Sequence, residues 1–387
     1  MQFTHILDFM IMMPLGPQFT QLFGISDAQF GFLVSAYTLA AGASGLLAST
    51  YIDRFGRKRL LLVLYALFAL ATLACALAPT YAALMGARIA SGLFGGVLSA
   101  LSHTIVADVI PFERRGRAMG VVMTAFSLST VAGVPLSLFA ASRLSWHAPF
   151  FAIAALCAIF GLFVAWTMPA LDQHLHGGPR ASVLGGVRLV LVDANHQRAF
   201  LFCALLMFAG FTVIPYITLY GQSTAGLQPQ HIPYIYLCGG AATLLSSRWF
   251  GRASDRYGKL KTFRIMAVAV IVPLLATTLV RGVPVWVVVA VSTLFFVCMN
   301  GRMVPGMAIL TAAANPSLRG TFMSLNSAVQ SASMGAAAFV GGLLISRDAQ
   351  GMVQNYWMSA ALGACASLAA IAVAGKLHLH GAPQARL

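Results

Sequence analysis

Charged side chains are scarce inside the apolar runs of this sequence, and one carboxylate stands out among them. The chain has nine acidic residues, and eight lie in predicted loops or at the edges of apolar runs; only Asp8 falls within a run, near its start. An apolar environment disfavours the charged form of a carboxylate, so such a group can take up and release a proton near neutral pH. We therefore predict proton transfer at Asp8, with helix capping as the alternative.

Arg88, Arg302 and His103 are further candidate ionisable side chains inside the runs. A guanidinium within a membrane is costly and should face a cavity, a partner or a substrate. Arg88 could modulate Asp8, whereas Arg302 is either a substrate contact or a packing residue whose charge extends towards the membrane edge. His103 suits proton transfer, although a lone membrane histidine is more often a hydrogen-bonded helix contact. Because these groups are few, we expect no enzyme; a multi-span membrane enzyme is a remote alternative.

The composition requires a lipid environment. Of 387 residues, 59% are hydrophobic and 9% charged, against roughly a quarter charged in soluble proteins. The net charge of +15 does not indicate a nucleic-acid partner, because the basic residues form short clusters between apolar runs. No metal or other cofactor is expected: the six cysteines lie singly in apolar runs, the two His-x-His pairs lack further ligands, and there is no Walker A sequence.

Apolar runs of about 20 residues, the length that spans a bilayer, divide the chain into twelve predicted helices. Their limits are 3–23, 29–51, 59–78, 81–107, 117–140, 148–169, 198–219, 230–250, 262–281, 284–313, 320–346 and 355–376. The most polar stretch, with a predicted surface helix around Leu184 to Val192, separates two halves. The predicted fold is an all-α membrane protein with two pseudo-symmetric six-helix bundles. We divide it into an N-terminal bundle (1–169), a cytoplasmic linker (170–197), a C-terminal bundle (198–376) and a cytoplasmic tail (377–387).

A short motif occurs once in each half. YIDRFGRKR begins at residue 51 and GRASDRYGK at residue 251, each after the second predicted helix of its half. PFERRGRAMG and PSLRGTFMS likewise follow the fourth and tenth helices. Nearly all basic loop residues lie on this side, so we predict that both termini face the cytoplasm, beneath an inner (plasma) membrane. A six-helix repeat of this kind is a known transporter plan, with the substrate site near the membrane midplane between the halves.

These motifs resemble those of the major facilitator superfamily. Its signature, G-x-x-x-D-[RK]-x-G-[RK]-[RK], corresponds to STYIDRFGRK, with Ser49 in place of glycine, and Arg88-x-x-x-Gly92 is similar to its second motif. AGVPLS, from Ala132 to Ser137, resembles the antiporter motif, with Gly-Val-Pro instead of Gly-Pro. Together with DFMIMMPLGPQF, they resemble the twelve-helix drug:proton antiporters, which include sugar- and metabolite-efflux permeases. The resemblance implies proton-driven export of drugs or small metabolites by alternating access.

The resemblance also implies a gate that holds the two halves together on the cytoplasmic side. Its residues are Asp53, Arg54, Gly56, Arg57, Lys58, Asp108, Gly251, Asp255, Arg256, Gly258 and Lys259. Within this gate, Gly56 and Gly258 are expected to supply backbone conformations that other residues resist.

Proline removes a backbone hydrogen bond and can bend a helix. We predict bends at Pro14, Gly133, Pro135 and Pro215. Polar, aromatic and methionine side chains predicted to line the substrate cavity are Tyr37, Met123, Phe126, Asn300, Arg302, Asn326 and Gln330.

The expected partners are a small-molecule substrate, protons and the lipid bilayer. We expect a monomer, because each chain of this fold holds a complete pathway between its halves. A facilitator or a proton symporter for a small polar solute is the alternative, and a non-transporting membrane sensor is a more remote one.

Overall fold

A computed structural model describes residues 1–110, 122, 124–172, 183–315 and 318–380 of the chain, and these are almost entirely helical. In the first half the helices are α1 (Gln2–Ile11), α2 (Gly16–Phe23), α3 (Asp27–Tyr51), α4 (Arg57–Ala76), α5 (Tyr81–Val109), α6 (Val134–Arg143) and α7 (His147–Thr167). They continue as α8 (Val183–Val192), α9 (Ala194–Phe211), α10 (Ile217–Ser223), α11 (Ile232–Tyr257), α12 (Lys259–Ala269), α13 (Ile271–Leu279), α14 (Val285–Ala313), α15 (Arg319–Leu344) and α16 (Tyr356–Ala374). A short antiparallel hairpin, β1 (Ser346–Arg347) and β2 (Val353–Gln354), joins α15 to α16. The predicted all-α fold is confirmed.

Among the described residues, ten helical segments are long and apolar enough to cross a bilayer. The two remaining predicted spans correspond to the interrupted pair α1 and α2 and to α11. Helix α11 is 26 residues long but ends in the polar sequence SSRWFGRASDRY, which lowers its mean hydropathy. The described residues therefore contain a helical element for each of the twelve predicted spans.

Prolines mark three departures from regular α-helix. Pro14 lies in the turn between α1 and α2, and Pro215 lies in a 3₁₀ turn, Ile214–Tyr216, between α9 and α10. In the fifth predicted helix (117–140, called span 5 below), a π-helical turn, Ser129–Gly133, precedes Pro135, which lies in the first turn of α6. Because proline cannot donate a backbone hydrogen bond, the regular i→i−4 pattern stops at each of these points.

Side-chain caps account for the starts of α3 and α9. Ser26 and Gln29 form a reciprocal capping box at α3, which satisfies two otherwise unpaired backbone N–H groups. Asp193 accepts the backbone N–H groups of Asn195 and His196 at 2.8 and 2.9 Å. Helix α9 therefore begins before residue 198, the start predicted from the apolar run.

The two halves meet chiefly through two pairs of helices, with a smaller contact between α2 and α10. Helix α3 packs along α15, and α11 packs on the π-helical turn and α6. Both contacts are close: a Cβ at Gly42 would lie 3.1 Å from the Ala328 carbonyl, and one at Gly240 would lie 3.0 Å from Val131 Cγ2. One apolar core contains residues of both halves, and a second lies within the latter half.

The two ends of the bundle differ in charge. We call the end that carries Ile52–Arg54 and Gly258 the basic face, because the repeated motif lies there. Helix α3 runs from Asp27 on the opposite face to Tyr51 on the basic face, and the β-hairpin lies with Asp27 on the opposite face.

Candidate functional site

The structure brings Asp8 and Arg88 into direct contact. Arg88 Nη1 lies 2.7 Å from Asp8 Oδ2 and donates a second hydrogen bond, of 3.2 Å, to the Asp8 carbonyl. On α4, Thr72 Oγ1 is 3.4 Å from Asp8 Oδ1. Both charged side chains are fully buried. Removing either partner would leave a buried charge uncompensated, which is strongly destabilising.

Close packing around Gly92 explains why an arginine is followed by a glycine one turn later in α5. The Tyr37 ring of α3 covers the guanidinium, with Arg88 Cζ 4.3 Å from the ring centre, and an aromatic face attracts a cation. A Cβ at Gly92 would overlap the Tyr37 carbonyl and lie 3.0 Å from Ala40 Cβ. Glycine therefore allows α3 to approach α5 closely enough for Tyr37 to cover Arg88.

Asp8 does not cap a helix. Helix α1 begins at Gln2 with Met1 as its N-cap, and Asp8 lies in the helix interior. The capping alternative is therefore wrong. Met123 and the side chains of Asp53 and His103 lie outside what the structure describes, so their predicted roles stay predictions.

Arg302 is also fully buried, but its partners are neutral. Its Nη2 donates to the Leu206 carbonyl at 2.8 Å, and its Nη1 donates to Ser367 Oγ at 3.3 Å. These bonds tie α14 to α9 and α16. In the described part of the chain no carboxylate lies within ion-pair distance of it. The contacts match packing, the second of the two alternatives, and they place the guanidinium away from any open surface.

The other predicted cavity residues do not converge in this conformation. Tyr37 is buried over Arg88, and Asn300 donates to a carbonyl and a hydroxyl of α11 at 3.3 and 2.7 Å. Asn326 is buried against a thiol of α9, and Gln330 Nε2 lies 3.9 Å from a methionine sulfur of α14. The Phe126 side chain is 52% exposed. The polar members of this set therefore join neighbouring helices here.

On the basic face, the first copy of the motif is held within its own half. Arg57 Nε lies 2.8 Å from Asp108 Oδ2, at the end of α5, and Nη1 donates to the Ile52 carbonyl at 2.9 Å. Gly56 has an ordinary φ of −58°, so the prediction that it supplies an unusual conformation is wrong. Space is the reason for glycine instead: a Cβ there would collide with the Asp172 carboxylate.

In the second copy of the motif, the glycine has the unusual backbone conformation that was predicted. Gly258, between α11 and α12, has φ +91°, a region that glycine adopts without the penalty of a side chain. Asp255 and Arg256 are exposed, and within the described ranges neither they nor Lys259 form an ion pair with the other half. In this conformation the described gate residues do not bridge the halves.

Within the described part of the chain, an ion pair on the opposite face bridges the two halves. Arg347, on β1, contacts the carboxylate of Asp27 through Nε at 2.9 and 3.2 Å and through Nη2 at 2.7 Å. The Asp27 side chain is 4% exposed and that of Arg347 is 37% exposed. Two parallel N–H···O bonds of this type fix geometry as well as charge.

The hairpin that presents Arg347 is itself braced. Thr224, after α10, exchanges hydrogen bonds with the backbone of Val353 at 2.9 and 3.2 Å. The Asp348 carboxylate accepts bonds from Gln354 and from the backbone N–H of Met352. The Gln354 bond, with backbone donors behind it, lowers the pKa of Asp348, because hydrogen bonds to the carboxylate favour its charged form.

Sequence reasoning missed three of these residues. Thr72 gave no signal, because a threonine in an apolar run is common. Asp27 is one of the eight acidic residues predicted in loops or at the edges of runs, and Arg347 is one of the few charged residues on that face. Their pairing could have been inferred only from the near-absence of other partners.

Comparison with known proteins identifies the class. Residues 1–338 match the family model described as Major Facilitator Superfamily. The chain is therefore a multi-pass membrane transporter rather than an enzyme. It belongs to the major facilitator superfamily, as its motifs predicted.

Named relatives and solved structures agree with this assignment. The chain is 24% identical over 332 residues to the uncharacterized MFS-type transporter YtbD of Bacillus subtilis, covering 85% of this chain and 82% of that protein. It is 26% identical over 256 residues to the inner membrane transport protein YdhP of Escherichia coli K12, covering 65% and 64%. Its fold resembles a D-xylose-proton symporter, with a TM-score of 0.78, 17% identity and 95% of each chain covered. It also resembles an inward-facing bacterial homolog of the human lysosomal transporter Spinster, with a TM-score of 0.71, 13% identity, and 97% and 95% covered.

Proposed function

We propose that this protein is a proton-coupled secondary transporter that exports drugs or small metabolites across the plasma membrane by alternating access. The observation that carries the proposal is the fully buried Asp8–Arg88 ion pair. A titratable group in the membrane interior is a functional candidate by default, and this one has a cation as its direct partner. The bilayer, protons and a small molecule are the partners, and the chain acts as a monomer.

Protonation of Asp8 would change the net charge that is buried between α1 and α5. With the carboxylate charged, the pair is internally neutral and stays buried. With the carboxylate protonated, Arg88 keeps its charge and loses its counter-ion, and an uncompensated buried charge is costly. The arrangement of α1 against α5 then becomes unfavourable, so protonation favours another conformation of the bundle. This gives the proton a means of driving conformational change.

Contacts of span 5 support a link between this pair and the second half. Gly133 packs against the side chain of Leu7, the neighbour of Asp8, and the same π-helical turn packs on Gly240 of α11. A movement of α1 is therefore transmitted to the contact between the halves through one short segment. π-Helical turns occur frequently at functional sites.

Orientation and direction follow from charge and motif. The excess of Lys and Arg on the basic face supports a cytoplasmic location for that face and for both termini. The resemblance of AGVPLS to the antiporter motif favours exchange of a proton for an exported molecule. In the proposed cycle, the motif residues of the basic face form the cytoplasmic gate when the opposite face opens.

Proton symport is the second candidate. It is favoured by the fold likeness to a structure described as a D-xylose-proton symporter, and a buried carboxylate paired with arginine is compatible with either direction of coupling.

Reconstitution in liposomes tests the proposal. Purified protein is reconstituted with a pH-sensitive dye inside, and chloramphenicol, norfloxacin and D-xylose are added in turn under an imposed proton gradient. We expect one of these probes to move protons in the wild type and to lose at least tenfold of that movement in Asp8→Asn. Probe flux with no proton movement in the wild type would overturn proton coupling and leave a facilitator. The sign of the movement separates antiport from symport.

A further inference from the structure

An imidazole lies between the buried ion pair and the basic face. Asp8 and Arg88 are fully buried, so a proton needs intermediate groups to travel between Asp8 and water. His5 precedes Asp8 by one turn of α1, and side chains at this spacing lie on the same helix face, about 5–6 Å apart at Cβ. It lies nearer the basic face than Asp8; the residue as a whole is partly exposed, whereas both of its ring nitrogens are buried.

Helices α3, α4 and α5 hold the ring in place. Its centre lies 6.0 Å from the ring centres of both Tyr37 and Phe68. On α5, the absence of a side chain at Gly95 creates the space: a Cβ there would lie 2.8 Å from His5 Nε2 and 2.9 Å from Tyr37 Oη. These two polar atoms are therefore less than about 6 Å apart, a distance that one bridging water can cover with two hydrogen bonds.

Tyr37 connects this imidazole to the ion pair. Its hydroxyl lies 3.4 Å from the His5 carbonyl, and its ring covers the Arg88 guanidinium. The titratable groups around the His5–Asp8 turn are Asp8 and the Met1 amino group on α1, Tyr37 on α3, Tyr65 and Cys75 on α4, Arg88 on α5 and Cys157 on α7. No acidic side chain other than Asp8 lies among them in the described part of the chain.

We propose that His5 carries protons between Asp8 and the aqueous side of the basic face. This inference rests on the proposed function. In the export cycle, protonated Asp8 gives its proton to one ring nitrogen of His5, directly or through the Tyr37 hydroxyl, and becomes a carboxylate. The imidazolium then loses a proton from the other ring nitrogen to water and returns to neutral imidazole. The nearby Arg88 cation disfavours a second lasting positive charge, so the proton passes on.

A substrate-free measurement tests this relay. Full-length protein in detergent is mixed rapidly into acid, and protonation of Asp8 is followed by the infrared carboxylic-acid band that Asp8→Asn removes. We expect His5→Gln to slow the appearance of this band at least tenfold while leaving its final amplitude unchanged, because positioned proton transfer contributes roughly 10²–10⁴-fold to rates. His231→Gln, on the opposite face, is the matched control and should match the wild type.

Rescue distinguishes a relay from a packing role. His5→Ala should recover rate when imidazole is added to the buffer, whereas a side chain that only packs would give no recovery. An unchanged rate in His5→Gln, or a loss of amplitude together with rate, would overturn the relay. A wild type with no titrating Asp8 band would instead refute the proposed function itself.

Discussion

Arg88→Leu should destabilise the protein much more than simultaneous replacement of both members of the buried pair. Alone, the substitution leaves the Asp8 carboxylate buried with only Thr72 beside it at 3.4 Å. Removing one member of a buried ion pair costs about 3–5 kcal/mol, whereas replacing the whole pair is often neutral. We therefore expect a loss of about 3–5 kcal/mol for Arg88→Leu and recovery of most of it in Asp8→Asn/Arg88→Leu. Transport coupling should stay lost in both.

Thermal unfolding in detergent can be followed with a thiol-reactive dye, because Cys75, Cys157, Cys203 and Cys298 are buried and become reactive on unfolding. Arg302→Met is the matched control. It also removes a fully buried guanidinium, but one that is bonded to a carbonyl and a hydroxyl instead of a carboxylate. Arg302→Met leaves no buried charge without its partner, so the loss of stability should be well below that of Arg88→Leu. Equal instability of the single and double variants would show that pairing with Asp8 is not what makes Arg88 necessary.

The fold was predictable because a bilayer permits few kinds of backbone structure. Within hydrocarbon, every backbone polar group must be satisfied internally, so apolar runs of spanning length become helices. Breaks at Pro14 and Pro215 followed from the missing N–H of proline. Even α11, whose last turns are too polar for a simple hydropathy criterion, was recognised from its apolar first half and the motif behind it.

The charged residues of the site could be predicted from the sequence, but the contacts between them could not. Asp8 and Arg88 could be identified because charged side chains are scarce inside apolar runs, since a membrane tolerates few buried charges. Their pairing joins residues 80 positions apart, and nothing in the local sequence shows which charged groups share a helix interface. Gly56 illustrates the same limit: its glycine was expected for backbone freedom, whereas the structure explains it by the Asp172 carboxylate.

Arg347 and Asp27 illustrate the same limit, because they lie 320 positions apart in the sequence. In the structure they join the two halves on the opposite face. For any molecule to pass through that face, these halves must separate and the pair must break. The pair therefore contributes to the balance between the conformation closed on this face and the one open to it.

The two members of this pair should contribute unequally. Arg347→Ala leaves the Asp27 carboxylate, 4% exposed, without its partner, whereas Asp27→Ala leaves a guanidinium that is already 37% exposed and can be hydrated. We expect Arg347→Ala to shift the balance towards the open conformation by about 1–2 kcal/mol, after allowance for the solvent around the arginine. That is about 5- to 30-fold in population. Asp27→Ala should shift it less, and the swap Asp27→Arg/Arg347→Asp should restore part of the closure.

A buried reporter measures this shift. Ser35 on α3 is fully buried near α15, so Ser35→Cys can be introduced in a Cys238→Ser/Cys365→Ser background that lacks the two exposed thiols. Its reaction rate with a membrane-impermeant thiol reagent added on the opposite face should rise with the open population, most in Arg347→Ala. Arg143→Ala, at the exposed end of α6 on that face and away from the hairpin, is the control for loss of a surface charge. Equal labelling rates in Arg347→Ala and Arg143→Ala would mean that the ion pair does not hold this face closed, and that the packing of α3 along α15 does so without it.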